Sequence, residues 1–181
     1  MTTIKDRPNS ALIVIDVQGD VVAGAHNLGA TVANIKGAVD RARTAGIPVI
    51  WVQHNDEEIL VDTPGWQIVP ELVPAEGEPK VHKSYRSSFE DTTLDQVLQD
   101  LKVGHVYLCG MQTNFCVRNT LHAALERGYD VTVLADAHTT TDYDAFGSLV
   151  AAETLVNDLN SNVEFYQLPG RAAKTALSTS L

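Results

Sequence analysis

Apolar and polar positions along this chain fall into two patterns, short unbroken apolar runs and longer periodic stretches, and the two alternate. The run from Ala11 to Ile15, closed by Asp16, is continuously apolar. A strand covered on both faces needs that pattern, because neither set of its alternating side chains meets water. Residues 48–53, 80–83, 105–109, 130–135 and 163–168 read as further short strands, the third of them stopped by Gly110. Between them the apolar positions recur at helical spacing. Val32, Ile35, Val39 and Ala42 predict a helix over 31–45 stopped by Gly46. Leu94, Val97, Leu98 and Leu101 predict a helix over 92–101, and residues 144–159 predict another. Residues 55–79 are polar and carry Pro64, Pro70, Pro74 and Pro79, which predicts a long surface excursion with at most a turn of helix over 67–72. Loops of that length commonly act as lids or binding segments. The tail after Gly170 is expected to be loosely attached.

Strands alternating with helices predict an open, three-layer α/β/α sheet of Rossmann-like type, with six parallel strands in the order 3-2-1-4-5-6. That order sets strands 1 and 4 side by side, where such sheets open a crevice at their carboxyl ends. Asp16 ends strand 1, Lys83 ends strand 3, and Cys116 follows strand 4, so all three are directed to one crevice.

Cys116 carries the sharpest chemical signal. Val117, Leu121, Ala124 and Leu125 lie at helical spacing, and Thr113 is a suitable N-cap, so the cysteine is expected at the third position of the helix. Free N–H groups and the helix dipole there favour thiolate over thiol. A lone cysteine at a helix start is also a common packing residue. Cys109, inside its apolar strand, reads as core. Asp16, desolvated at a strand end, is a better base than a carboxylate in water. Lys83 beside both can hold a thiolate by charge.

Length and composition frame this reading. The 181 residues, 44% hydrophobic and 20% charged, fit a single domain over 1–181. A net charge of −10 argues against nucleic acid or an anionic membrane as partner and mildly favours a neutral or cationic substrate. Two cysteines and no signal-peptide pattern point to the cytoplasm.

Three segments, Ile13 to Gln18 around Asp16, Lys83 to Phe89, and Gly110 to Val117 around Cys116, resemble the isochorismatase-like cysteine hydrolases, over residues 11 to about 168. The resemblance implies an Asp16–Lys83–Cys116 catalytic triad and a cis peptide between Met111 and Gln112. It also implies an oxyanion hole from the backbone N–H groups of Gln112 and Cys116. The implied reaction is hydrolysis of a small amide, lactam or carbamoyl C–N bond through a thioester. Metal-dependent nicotinamidases of the family carry an Asp-x-His motif after the second strand. This chain has Gln53, His54, Asn55 and Asp56 there, so no metal and no other cofactor is expected. Substrate-binding candidates are Gln18, His54, Trp66, Tyr85, Phe89, Asn114 and Phe115. His26, His105, His122 and His138 read as structural or exposed. The resemblance further implies a homo-oligomer, a dimer or tetramer. The alternative is a catalytically silent ligand-binding or redox-sensing member of the same fold.

Overall fold

The central strand shows why its sequence is apolar throughout. In β1 (Asn9–Ile15), Ala11, Ile13 and Ile15 enter one buried cluster, and Leu12 and Val14 enter another on the opposite face. The computed structural model, which describes residues 2–181, places β1 in a parallel sheet with β2 (Val49–His54), β3 (Lys80–Lys83), β4 (Val103–Met111), β5 (Asp130–Thr139) and β8 (Ala173–Ala176). The sheet order is β3-β2-β1-β4-β5-β8. One face is covered by α1 (Leu28–Thr44), whose Val32, Ile35, Val39 and Ala42 pack with Leu12, Val14 and Trp51. The other carries α2 (Leu94–Asp100), α3 (Arg118–Glu126) and α4 (Ala152–Phe165), through Leu94, Leu98, Leu121, Leu125, Leu159 and Val163.

The expected architecture and strand order hold, with corrections to the elements. Gly110 does not end its strand. It lies within β4 at φ +116, where a Cβ would come within 2.0 Å of the Ile15 carbonyl oxygen, so its bare backbone permits the close approach of β4 to β1. The expected helix over 144–159 starts late. A hairpin of β6 (Tyr143–Ala145) and β7 (Ser148–Val150) precedes it, turning through Phe146 and Gly147, both at positive φ. The sixth sheet strand is 173–176 rather than 163–168, because Val163 completes the apolar face of α4 one turn after Leu159. The tail is therefore anchored. β8 pairs with β5, and beyond it the Ser178 carbonyl accepts from Arg41 while its N–H donates to Asp136.

Residues 55–79 form no helix, and a single bridge joins Ile68 to Gln18. Their far end is clamped by Glu78. Its carboxylate accepts from Trp51 Nε1 at 2.6 Å, from Arg43 at 2.8 and 2.9 Å and from the Ala75 N–H at 2.8 Å. Among the described residues no helix is long and apolar enough to cross a membrane.

Candidate active site

The carboxyl ends of β1, β3 and β4 meet at one point. Past Ile15 the chain turns sharply at Asp16, which adopts φ +50 while its N–H still pairs with the Val52 carbonyl. In β3, Val81 and Lys83 point inward and Lys80 and His82 outward, so the strand's alternation delivers Lys83 to the same place. Lys83 Nζ lies 2.7 Å from Asp16 Oδ2, with both side chains fully enclosed. The same nitrogen is 3.3 Å from Cys116 Sγ, and a hydrogen-bonding contact links the Asp16 and Cys116 side chains.

Cys116 sits in a π-helical turn, Thr113–Val117, that leads into α3 and follows a cis peptide between Met111 and Gln112. Thr113 is inside that turn and does not cap it. Its hydroxyl is engaged by His138 Nδ1 at 2.9 Å, and His138 Nε2 meets Asn160 Oδ1 at 2.9 Å. Asn160 uses its amide N–H on the Ala135 carbonyl, so its oxygen accepts from His138 Nε2–H, and Nδ1 accepts from Thr113. His138 is structural, a buried strut between α4 and the cysteine turn. Asn114 is tied by Thr140 and the Phe115 carbonyl by Asn119, which completes the bracing.

The resting thiol carries its proton, contrary to the expectation from the helix dipole. Burial, with the negative charge of Asp16, pushes the Cys116 thiol up to about 12 against the opposing charge of Lys83. Burial also raises the Asp16 carboxyl above 3.8, although Lys83 pulls it down. The sulfur opens on a cleft of about 410 Å³ walled by Asp16, His54, Gln112 and Phe115 and rimmed by Asp20, Asp56, Glu58 and Arg86.

A sequence model described as the Isochorismatase domain matches residues 10–156, which spans all three of the converging side chains. The chain belongs to the isochorismatase family. It is 35% identical over 145 residues to a streptothricin hydrolase from Streptomyces noursei, which covers 77% of this chain and 58% of that protein. It is 32% identical to a ureidoacrylate amidohydrolase from Enterobacter sp. (strain 638), covering 76% of this chain and 81% of the relative. The chain thus spans little more than half the length of the streptothricin hydrolases it matches, 58% and 51%. An isochorismatase from Pseudomonas putida KT2440 superposes with a TM-score of 0.86 at 27% identity, covering 96% of this chain and 90% of that one.

Within this isochorismatase-family cleft, the substrate-binding candidates divide. His54 and Phe115 line it. Gln18 is fully buried, with its amide spent on the His54 N–H and the carbonyls of His54 and Trp66. Trp66 stacks edge-on to His82 at 5.2 Å in a separate groove, on the face of β3 away from Lys83. Phe89 is core, 5.9 Å from Tyr129. Asn114 is committed to Thr140, and Tyr85 is exposed and offers the site its carbonyl rather than its ring. Its neighbour Arg86, unforeseen from the sequence, stacks 4.3 Å over the Phe115 ring. Asp20, Asp56 and Glu58 were also missed. Loop side chains follow no fixed period, so only their nearness to Asp16, His54 and Lys83 in the chain hinted at them.

Proposed function

We propose that this chain is a cysteine-dependent hydrolase of a small-molecule amide, lactam or carbamoyl C–N bond. The observation that carries this reading is the enclosed contact of Asp16, Lys83 and Cys116 at the floor of an open cleft. The relatives' names, streptothricin hydrolase and ureidoacrylate amidohydrolase, fit the same chemistry. Asp16 accepts the thiol proton as the sulfur bonds to the substrate carbonyl carbon. Burial and the Asp16 charge hold the proton on sulfur in the resting site, so the transfer accompanies bond formation to carbon. The carbonyl oxygen gains the negative charge and accepts from the N–H groups of Gln112 and Cys116. The tetrahedral intermediate collapses by breaking its C–N bond, and protonated Asp16 supplies the proton with which the amine or ammonia leaves. Water then attacks the thioester, giving a proton to Asp16. The acid departs and the proton returns to sulfur. Lys83 stays charged throughout and compensates whichever of the two partners is anionic.

A homo-oligomer acting on a small molecule, without nucleic acid, completes the proposal; light scattering of the purified chain tests the assembly. The activity is tested by ammonia release from a panel of ureidoacrylate, maleamate, N-carbamoylsarcosine, biuret and nicotinamide. Turnover of one member that is lost in Cys116→Ser, with acyl-enzyme mass on Cys116 in a quenched reaction, is the expected result. Equal turnover in Cys116→Ser and wild type would overturn the cysteine mechanism.

A further inference from the structure

Lys83 has more acceptors than protons. Its ammonium carries three N–H groups and no water reaches it, since the side chain is 0% exposed. Around Nζ stand Asp16 Oδ2 at 2.7 Å, the Tyr85 carbonyl at 3.1 Å, His54 Nδ1 at 3.2 Å and Cys116 Sγ at 3.3 Å. Two of these four take no part in the chemistry. The Tyr85 carbonyl is backbone. His54 is anchored from behind, its Nε2 lying 2.9 Å from Asp56 Oδ2.

That anchor decides the tautomer. A carboxylate only accepts, so His54 Nε2 carries the ring proton and Nδ1 turns a lone pair to Lys83. Asp56 is held in turn by the N–H groups of Glu58 and Ile59 on its Oδ1, at 2.9 and 2.8 Å. The backbone of His54 is pinned as well, its N–H donating to Gln18 Oε1 at 2.7 Å and its carbonyl accepting from Gln18 Nε2 at 2.9 Å. Gln18, Asp56 and His54 thus form a rigid bracket whose working end is one imidazole lone pair.

We infer that His54 is a positioning residue for Lys83 in the proposed hydrolysis, the reading on which this inference rests. His54 and the Tyr85 carbonyl each hold one N–H of the ammonium. The third is left to point at Asp16 while that carboxylate is charged. When the Cys116 proton crosses to Asp16, the same N–H turns to the new thiolate, and no proton leaves Lys83. Without the lone pair of His54, the ammonium has one fixed acceptor instead of two and is free to rotate away from the line between oxygen and sulfur. Misplacement of a catalytic group by about 1 Å costs on the order of 100-fold in rate.

Three substitutions separate this role from that of a cleft wall. His54→Leu removes the acceptor, His54→Gln moves it to the Nε2 position, and His54→Asn sets an amide oxygen near the Nδ1 position. With the most rapidly hydrolysed member of the amide panel, kcat falls roughly 10- to 100-fold in the Leu and Gln variants while KM stays within about threefold. His54→Asn recovers kcat to within about fivefold of wild type. A rise in KM common to all three with kcat retained, or a Leu variant as fast as the Asn variant, would overturn the role. A second measurement is independent of any substrate. The 15N imidazole spectrum of the wild-type protein shows His54 protonated at Nε2 and bare at Nδ1; the opposite tautomer, or an imidazolium at assay pH, overturns the inference. If no amide is turned over, the hydrolase reading fails by itself, and the spectrum alone decides the place of His54.

Discussion

At the Cys116 sulfur, burial and the Asp16 charge outweigh Lys83 and the mouth of the helix. Iodoacetamide labelling of the native protein at pH 8 is therefore slower than that of a thiol at the ordinary 9.0, and it climbs about tenfold per pH unit toward 12. Two substitutions move it in opposite directions. Asp16→Asn removes a charge that raises the thiol pKa, so labelling accelerates; Lys83→Met removes the charge that lowers it, so labelling slows. Mass-mapped labelling rates of Cys116 in both variants check the pair of signs. Lys83→Met also leaves a buried carboxylate without its counter-charge, which costs about 3–5 kcal/mol, measured by urea unfolding. Asp16, Lys83 and Cys116 were legible in the sequence because each follows a strand pattern whose carboxyl end must reach the switch point. The thiol's ionisation was not, since it depends on how much protein surrounds the sulfur. The same holds for Phe89, whose apolar ring suits a pocket wall and a core equally until the packing is known.

Individual elements show where pattern reading stops. β1 and α1 announce themselves by unbroken and periodic apolar positions. β8 consists of Ala173, Lys174, Thr175 and Ala176, half-buried at a sheet edge, and has no apolar signature to read. It is recruited by pairing with β5, a tertiary cause. The β6–β7 hairpin is similar, since Leu149 and Val150 fit a helix face when read locally and Gly147 is the sole sign of a turn. β4 comes into close backbone contact with β1 at Gly110. Gly110→Ala places a methyl carbon against the Ile15 backbone and forces a non-glycine residue to φ +116, so it destabilises by more than about 3 kcal/mol. A lowered urea midpoint, or loss of folded protein on expression, is the expected outcome; a midpoint equal to wild type would contradict the close approach.

Across the whole molecule, the far end of the long excursion is clamped by one carboxylate that joins α1, β2 and the loop. Burial works to raise the Glu78 carboxyl, but the bonds from Arg43, Trp51 and Ala75 outweigh it and hold it below 4.5. A carboxyl depressed in the folded state adds stability above its unfolded value and loses it as the pH falls through the folded one. Glu78→Gln is thus expected to cost about 1–2 kcal/mol at pH 7 and to flatten the decline of stability below pH 4.5, followed by thermal unfolding against pH. The enclosed pair beneath the cysteine has a different consequence. In the proposed hydrolysis, moving a proton from sulfur to Asp16 relocates one negative charge over a few ångströms and leaves the sum over the three groups at zero, so that step would be electrically silent to bulk ions. The rim is not, because Asp20, Asp56 and Glu58 face solvent against Arg86 alone. Raising salt from about 0.05 to about 0.5 M should leave kcat unmoved and reduce kcat/KM for a cationic amide, which divides the cleft into a floor that reacts and a rim that selects.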